Sequence, residues 1–188
     1  MFIETIPEEH AEGVLRDTYE ADQANFGFVP DHARVFSLRP DVLAAWRAFQ
    51  GSIRKHLRLR RYELVTLATA QALGCRYCLL AHGAILTQNG VGVEQLRAIL
   101  TDHHDAGLSP VEVAVMDFAQ KTAQRANEMT QADTDALRAL GMEDVEILDV
   151  TLTATMRCFA SKTFNALGAG PDAATEELER QLTDLLPA

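Results

Sequence analysis

Apolar residues along this chain recur three and four positions apart, the spacing that gathers side chains on one face of an α-helix. After Pro40, Leu43, Trp46, Ala48 and Phe49 form such a stripe. The run LSPVEVAVMDFAQKTAQRA places Ser109 at an N-cap, Pro110 at the first helical position and Glu112 two further on, the sequence form of a capping box. Thr130 and Asp133 repeat it for a shorter helix ending near Gly141. Residues 143–167 keep helical spacing and close on Gly168. The β-branched residues of VTLTATM lie inside that pattern, interleaved with Ala, Leu and Met, so they predict helix rather than strand. Pro7 followed by Glu8 and Glu9 predicts a helix start, with the helix running to about Gln23 before NFGFVP breaks it. The stretch DAATEELERQLTDLLPA predicts an acidic amphipathic helix over 172–186, packed on the body or on a neighbouring subunit. The expected fold is all-α, a single-domain bundle over 1–188.

Composition narrows the function classes. Of 188 residues 47% are hydrophobic, enough for a core without disulfide staples. A net charge of −10 makes nucleic acid and anionic membrane poor partners. The basic run from Arg54 to Arg61 reads as a helix end and connector in preference to a phosphate-binding patch. The N-terminus, MFIETIPEEHAEG, is acidic and lacks the apolar stretch of a secretion signal. No apolar run reaches the roughly 18 residues a transmembrane helix needs. The expected location is the cytoplasm, where paired cysteines are more often catalytic or metal-binding than structural.

The chemistry concentrates in GCRYCLLAH. On a helix from Cys75 to Asn89, Cys75 and Cys78 are i,i+3 neighbours about 5 Å apart, within disulfide reach. His82 lies one turn beyond Cys78, but about 10.5 Å along the axis from Cys75. An imidazole there can take the proton of Cys78, which makes Cys78 the attacking thiol and Cys75 the resolving one. Cys75 at the helix start would be a good leaving group when the disulfide is reduced. Glu63 would lie about 28 Å from His82 on one unbroken helix. A turn at Gly74 instead folds two helices into an antiparallel hairpin, and Ala68, Ala70 and Ala72 let them approach closely. Glu63 could then orient His82 and raise its basicity.

Glu63, Cys75, Cys78 and His82 follow an E-x11-C-x2-C-x3-H pattern that resembles the alkyl hydroperoxidase D family, within the carboxymuconolactone decarboxylase-like superfamily. The resemblance covers roughly residues 39–90, and MRCFASKTFNALGAGPD is similar to a peroxidase-related branch. It implies an all-α, oligomeric peroxidase, trimeric or a multiple, with Cys78 peroxidatic, Cys75 resolving, and Glu63 and His82 a proton relay. It further implies a hydroperoxide substrate and an external dithiol reductant of lipoyl or thioredoxin-like type. No metal or organic cofactor is required. One departure stands out. Alkyl hydroperoxidase D proper has His before the second cysteine, where this chain has Tyr77, a poor base near neutral pH.

Other readings compete. Cys75, Cys78, His82 and Cys158 could be zinc ligands, but three ligands along one helix splay too far for a tetrahedron. A disulfide exchanger or redox sensor would share the CxxC yet react slowly with peroxide. A decarboxylase-like enzyme using His82 and Glu63 as acid and base would be indifferent to thiol alkylation. Cys158 reads as a buried small hydrophobe. Trp46, Phe49 and Phe118 read as core. His103 and His104 read as a solvated helix end, adjacent rings facing different ways.

Overall fold

The computed structural model describes residues 1–187, and among these all regular structure is helical. The elements are α1 Gly13–Phe26, α2 Asp31–Val35, α3 Pro40–Arg54, α4 Leu59–Ala72, α5 Arg76–Gln88, α6 Val93–Asp102, α7 Pro110–Arg125, α8 Gln131–Ala139, α9 Asp144–Leu167 and α10 Glu176–Leu182. They form a single-domain bundle around α4, which is buried at every position from Tyr62 to Ala70 and packs against α5, α7 and α9. A helix segment enclosed on all sides needs no polar face, and here its buried polar residues are Glu63, Thr66 and Thr69.

Capping chemistry sets several boundaries where the sequence places them. Ser109 and Glu112 close a reciprocal box at the start of α7, and Thr130 and Asp133 do the same for α8. Glu143 and Glu146 form a third at the start of α9, which ends at Gly168 with φ +67°. α4 ends in a Schellman motif. Gly74 takes φ +60°, its N–H donates to Gln71 O at 3.1 Å, and Cys75 N–H donates to Ala70 O at 2.9 Å. Cys75 in turn is the N-cap of α5, its carbonyl accepting Leu79 N–H at 3.0 Å. The predicted hairpin thus turns at Gly74, and the backbone of Cys75 is held by both helices.

Three expectations are corrected. Pro7 opens only a 3-10 turn over Glu8–His10, after which buried Ala11 turns extended, and α1 starts at Gly13 and runs on to Phe26. Core contact at Ala11 overrides the N-terminal helix signal. On α3 the buried stripe is Leu43, Trp46 and Ile53, while Ala48 and Phe49 face outward, with Phe49 49% exposed. The C-terminal helix is shorter than 172–186: a 3-10 turn over Ala173–Thr175 leads into α10.

The C-terminal segment packs on this chain's own body. Leu178 and Leu182 are buried. Arg76, between the two cysteines, donates to Glu179 at 2.8 Å and to Pro187 O at 2.8 Å. Only a small residue fits at Gly83 beneath this strap, where a β-carbon would lie 3.1 Å from Leu96 and 3.5 Å from Leu178. Phe164 on α9 joins the layers. It is 1% exposed, and its ring centre lies 5.2 Å from Tyr77, 6.1 Å from Trp46 and 6.4 Å from Phe36. Phe164→Ala should cost about 3–5 kcal/mol in urea denaturation. A loss below about 1 kcal/mol would show that this aromatic cluster does not tie α9 to α5.

Candidate functional site

The site is built where α4, α5 and α9 meet. The reversal at Gly74 brings Glu63 and His82 together across the hairpin, with His82 Nδ1 2.6 Å from Glu63 Oε2 and both side chains buried. Glu63 Oε1 has no hydrogen-bond partner, so the imidazole is its anchor among the described residues. The bond fixes the ring and leaves Nε2 free to carry or accept a proton.

Cys75 and Cys78 are both fully buried free thiols. Their partners differ. Cys78 Sγ accepts from Ser161 Oγ at 3.4 Å and is approached by Arg157 Nη1 at 3.9 Å. Burial alone would push the Cys78 pKa up, but the Cys75 thiol, the Arg157 and His82 charges and the Ser161 hydroxyl outweigh it, holding Cys78 at about 5. Cys75 moves the other way, because its proton is held in the bond to Cys78 and because it is buried. The pair therefore shares one proton and one charge, and the charge sits on Cys78. The helix start at Cys75 does not make it the better thiolate, since the Arg157 cation lies on the Cys78 side and the Cys75 proton is held towards Cys78. His82 influences Cys78 through its charge, while the hydrogen bonds to the sulfur come from elsewhere.

The sequence reading missed Arg157, Ser161 and His32. Arg157, Ser161 and Phe164 sit at i, i+4 and i+7 on α9, in phase with buried Val150 and Ala154. An arginine in register with an apolar stripe was the available signal. His32, on α2, gave none in spacing. Its Nδ1 lies 2.9 Å from Tyr77 Oη, and Arg47 Nη2 lies 3.3 Å from its Nε2. Arg47 in turn pairs with buried Asp22 at 2.8 Å. Burial first, then Arg47 and Arg157, lower the His32 pKa to about 3, so the ring is neutral. With Arg47 donating to Nε2, Nδ1–H donates to Tyr77, and Tyr77 O–H donates to Asp172 Oδ2 at 2.7 Å. The position before Cys78 is thus wired to an imidazole that the linear sequence placed 45 residues away.

Elsewhere, the reading of His103 and His104 needs correction. Their rings do not diverge: the centroids are 4.3 Å apart, and both approach Asp117 because the helix ends at Asp102. Asp102, His103 and His104 are the one trio of metal-type donors among the described residues whose atoms lie within 4.8 Å of one another. Cys158 is half-buried rather than buried, and burial raises its pKa. Trp46 and Phe118 are core.

Residues 40–121, which carry the hairpin and all four motif residues, match the Carboxymuconolactone decarboxylase family. Over that segment, somewhat less than half of the chain, the protein resembles this family. No curated protein matches it. Among solved structures it is similar to an uncharacterized peroxidase-related protein of Ralstonia eutropha JMP134 with an alkylhydroperoxidase AhpD core (TM-score 0.85, 24% identity, 100% of this chain and 97% of that one). It is also similar to an uncharacterized peroxidase-related protein of Silicibacter sp. TM1040 (0.78, 22%, 93% and 91%). A third is a Cys-to-Ala variant of the debrominase Bmp8 in complex with 2,3,4-tribromopyrrole (0.77, 17%, 96% and 96%). At these identities the likeness is one of fold. No helix among the described residues is long and apolar enough to cross a membrane.

Because folding lowers the Cys78 pKa, this thiol contributes stability that is complete above the ordinary thiol range and is lost as pH falls through about 5. Thiolate absorbance of reduced Cys75→Ser/Cys158→Ser protein should still titrate well below the ordinary thiol value, although the Cys75 hydrogen bond is gone. His82→Ala should raise the midpoint further. A midpoint near 8.5 before that change would contradict the charge assignment to Cys78.

Proposed function

We propose that the protein is a thiol-dependent peroxidase that reduces hydrogen peroxide or organic hydroperoxides. The observation that carries this reading is the buried Cys75–Cys78 pair with Arg157 and Ser161 at the Cys78 sulfur, surroundings that favour a thiolate there. Cys78 attacks one peroxide oxygen; the O–O bond breaks, an S–O bond forms, and the alkoxide or hydroxide takes a proton to leave as alcohol or water. His82, oriented by Glu63, is the group placed to hand over that proton. Cys75 then attacks the Cys78 sulfenic acid, forming the disulfide and releasing water. The Cys75 proton and the His82 relay balance that step.

An external dithiol of lipoyl or thioredoxin-like type closes the cycle. It attacks Cys75, because Cys78 is the better-stabilised leaving thiolate, the reverse of the assignment that helix position alone suggests. The setting is cytoplasmic and homo-oligomeric, trimeric or a multiple. Val145, Leu148 and Phe159, exposed along α9, are apolar surface that such an assembly would cover.

A second reading follows from the shared fold with Bmp8. The same thiolate can take bromine from a bromopyrrole as the C–Br bond breaks, the ring carbon keeping the electron pair and taking a proton from the site. Cys75 then attacks the S–Br sulfur, bromide leaves, the Cys75 proton is released and the same disulfide forms. Bromide release from 2,3,4-tribromopyrrole without peroxide consumption would select it. Insensitivity to alkylation would select neither and would point to His82 and Glu63 acting alone.

Cys78→Ser should lower peroxide consumption by at least a hundredfold, and Cys75→Ser should stop after one turnover with a trappable sulfenic acid. Normal turnover in Cys78→Ser would sink the assignment.

A further inference from the structure

Arg157 is the largest of the fully buried side chains, and among the described residues no carboxylate lies within ion-pair distance of it. Its Nη1 reaches Cys78 Sγ at 3.9 Å, while Nε and Nη2 have no hydrogen-bond partner at all. Tyr62 is its other polar neighbour. A guanidinium keeps its charge under all folding conditions, and a buried charge without a counter-charge is strongly unfavourable. Of its two polar neighbours, the Cys78 sulfur is the one its surroundings hold as an anion.

We propose that Arg157 is the counter-ion of the Cys78 thiolate, and that losing this anion on oxidation makes the Cys75–Cys78 disulfide an easily reduced one. In the dithiol state the cation and the thiolate neutralise each other inside the bundle. Forming the disulfide removes the anion and leaves the cation where it was. The uncompensated charge destabilises the oxidised state relative to the reduced one, so the pair is poised as an oxidant towards the dithiols that regenerate it. This rests on the reading of the CxxC as a redox pair, but on no particular substrate.

The other groups facing Cys78 cannot replace Arg157. Cys75 is consumed in the disulfide, and Ser161 is neutral. His82 is already bonded to the Glu63 carboxylate, and neutral His32 faces Tyr77.

The test is equilibration of the reduced chain with glutathione and its disulfide. One enzyme S–S bond forms as the glutathione S–S bond breaks. The Cys75 proton and one from solvent go to the two glutathione thiolates. Arg157→Met, which keeps an unbranched apolar stem and removes the charge, should shift this equilibrium at least tenfold towards the enzyme disulfide, about 30 mV. It should also raise the Cys78 thiol midpoint. Arg157→Lys, which keeps the charge, should lie nearer the wild type in both. An Arg157→Met equilibrium within twofold of wild type, in folded protein, would overturn the proposal.

Should Arg157→Met fail to fold, the wild-type chain still decides. Its oxidised form must melt below its reduced form, and an equal or higher melting temperature would overturn the proposal. No peroxide enters either measurement, so failure of the peroxidase reading and failure of the Arg157 reading are separately visible.

Discussion

Glu63 and His82 meet in the interior only because α4 reverses direction at Gly74, and the rest of the site is arranged around that reversal. A left-handed residue there lets Cys75 N–H close the end of α4 while the Cys75 carbonyl opens α5. The same backbone bonds that terminate one helix therefore fix where the first cysteine stands. Cys78 follows one turn on and His82 one turn beyond that, against Glu63. The enclosure of α4 keeps water from competing for these groups, so a single hydrogen bond or charge counts for more there than at the surface.

Charge distribution inside the bundle then decides which sulfur reacts. Two adjacent thiols in one dry pocket cannot both ionise, and the hairpin alone treats them almost alike. The difference comes from the bond that Cys75 gives to Cys78 and from the cations on the Cys78 side, Arg157 of α9 above all. The hairpin supplies reach for a disulfide, while α9 supplies polarity to the pair. The Tyr77–His32–Asp172 chain adds a third constraint, tying the turn between the cysteines to α2 and to the segment before α10. Arg76 is held by Glu179 in the same region, so both residues between the cysteines are anchored to the C-terminal strap.

What the sequence could reveal was what depends on local spacing. Capping boxes at Ser109 and Thr130, the turn at Gly74 and the pairing of Glu63 with His82 all follow from offsets within one or two helices. Contacts set by tertiary packing were hidden. His32 reaches Tyr77 across 45 positions, and no periodicity encodes that. Phe49 carries an apolar side chain at a helical offset yet faces outward, because α3 presents Leu43 and Trp46 to the core instead. Ala11, buried in extended form, ends the 3-10 turn after Pro7 and delays the first helix to Gly13. Arg157 was visible as a charged residue in register with an apolar stripe, but its partner, a sulfur on another helix, was not.

The account comes down to whether the two cysteines of the hairpin, and not Cys158, are used up by a peroxide. The most direct measurement is stopped-flow mixing of fully reduced protein with cumene hydroperoxide, counting thiols before and after and mapping the disulfide by mass spectrometry. The account predicts one peroxide consumed and two thiols lost per chain, with the bond between Cys75 and Cys78 and Cys158 left free. Peroxide consumption with Cys75 and Cys78 still reduced, or no consumption by the reduced chain, would contradict it.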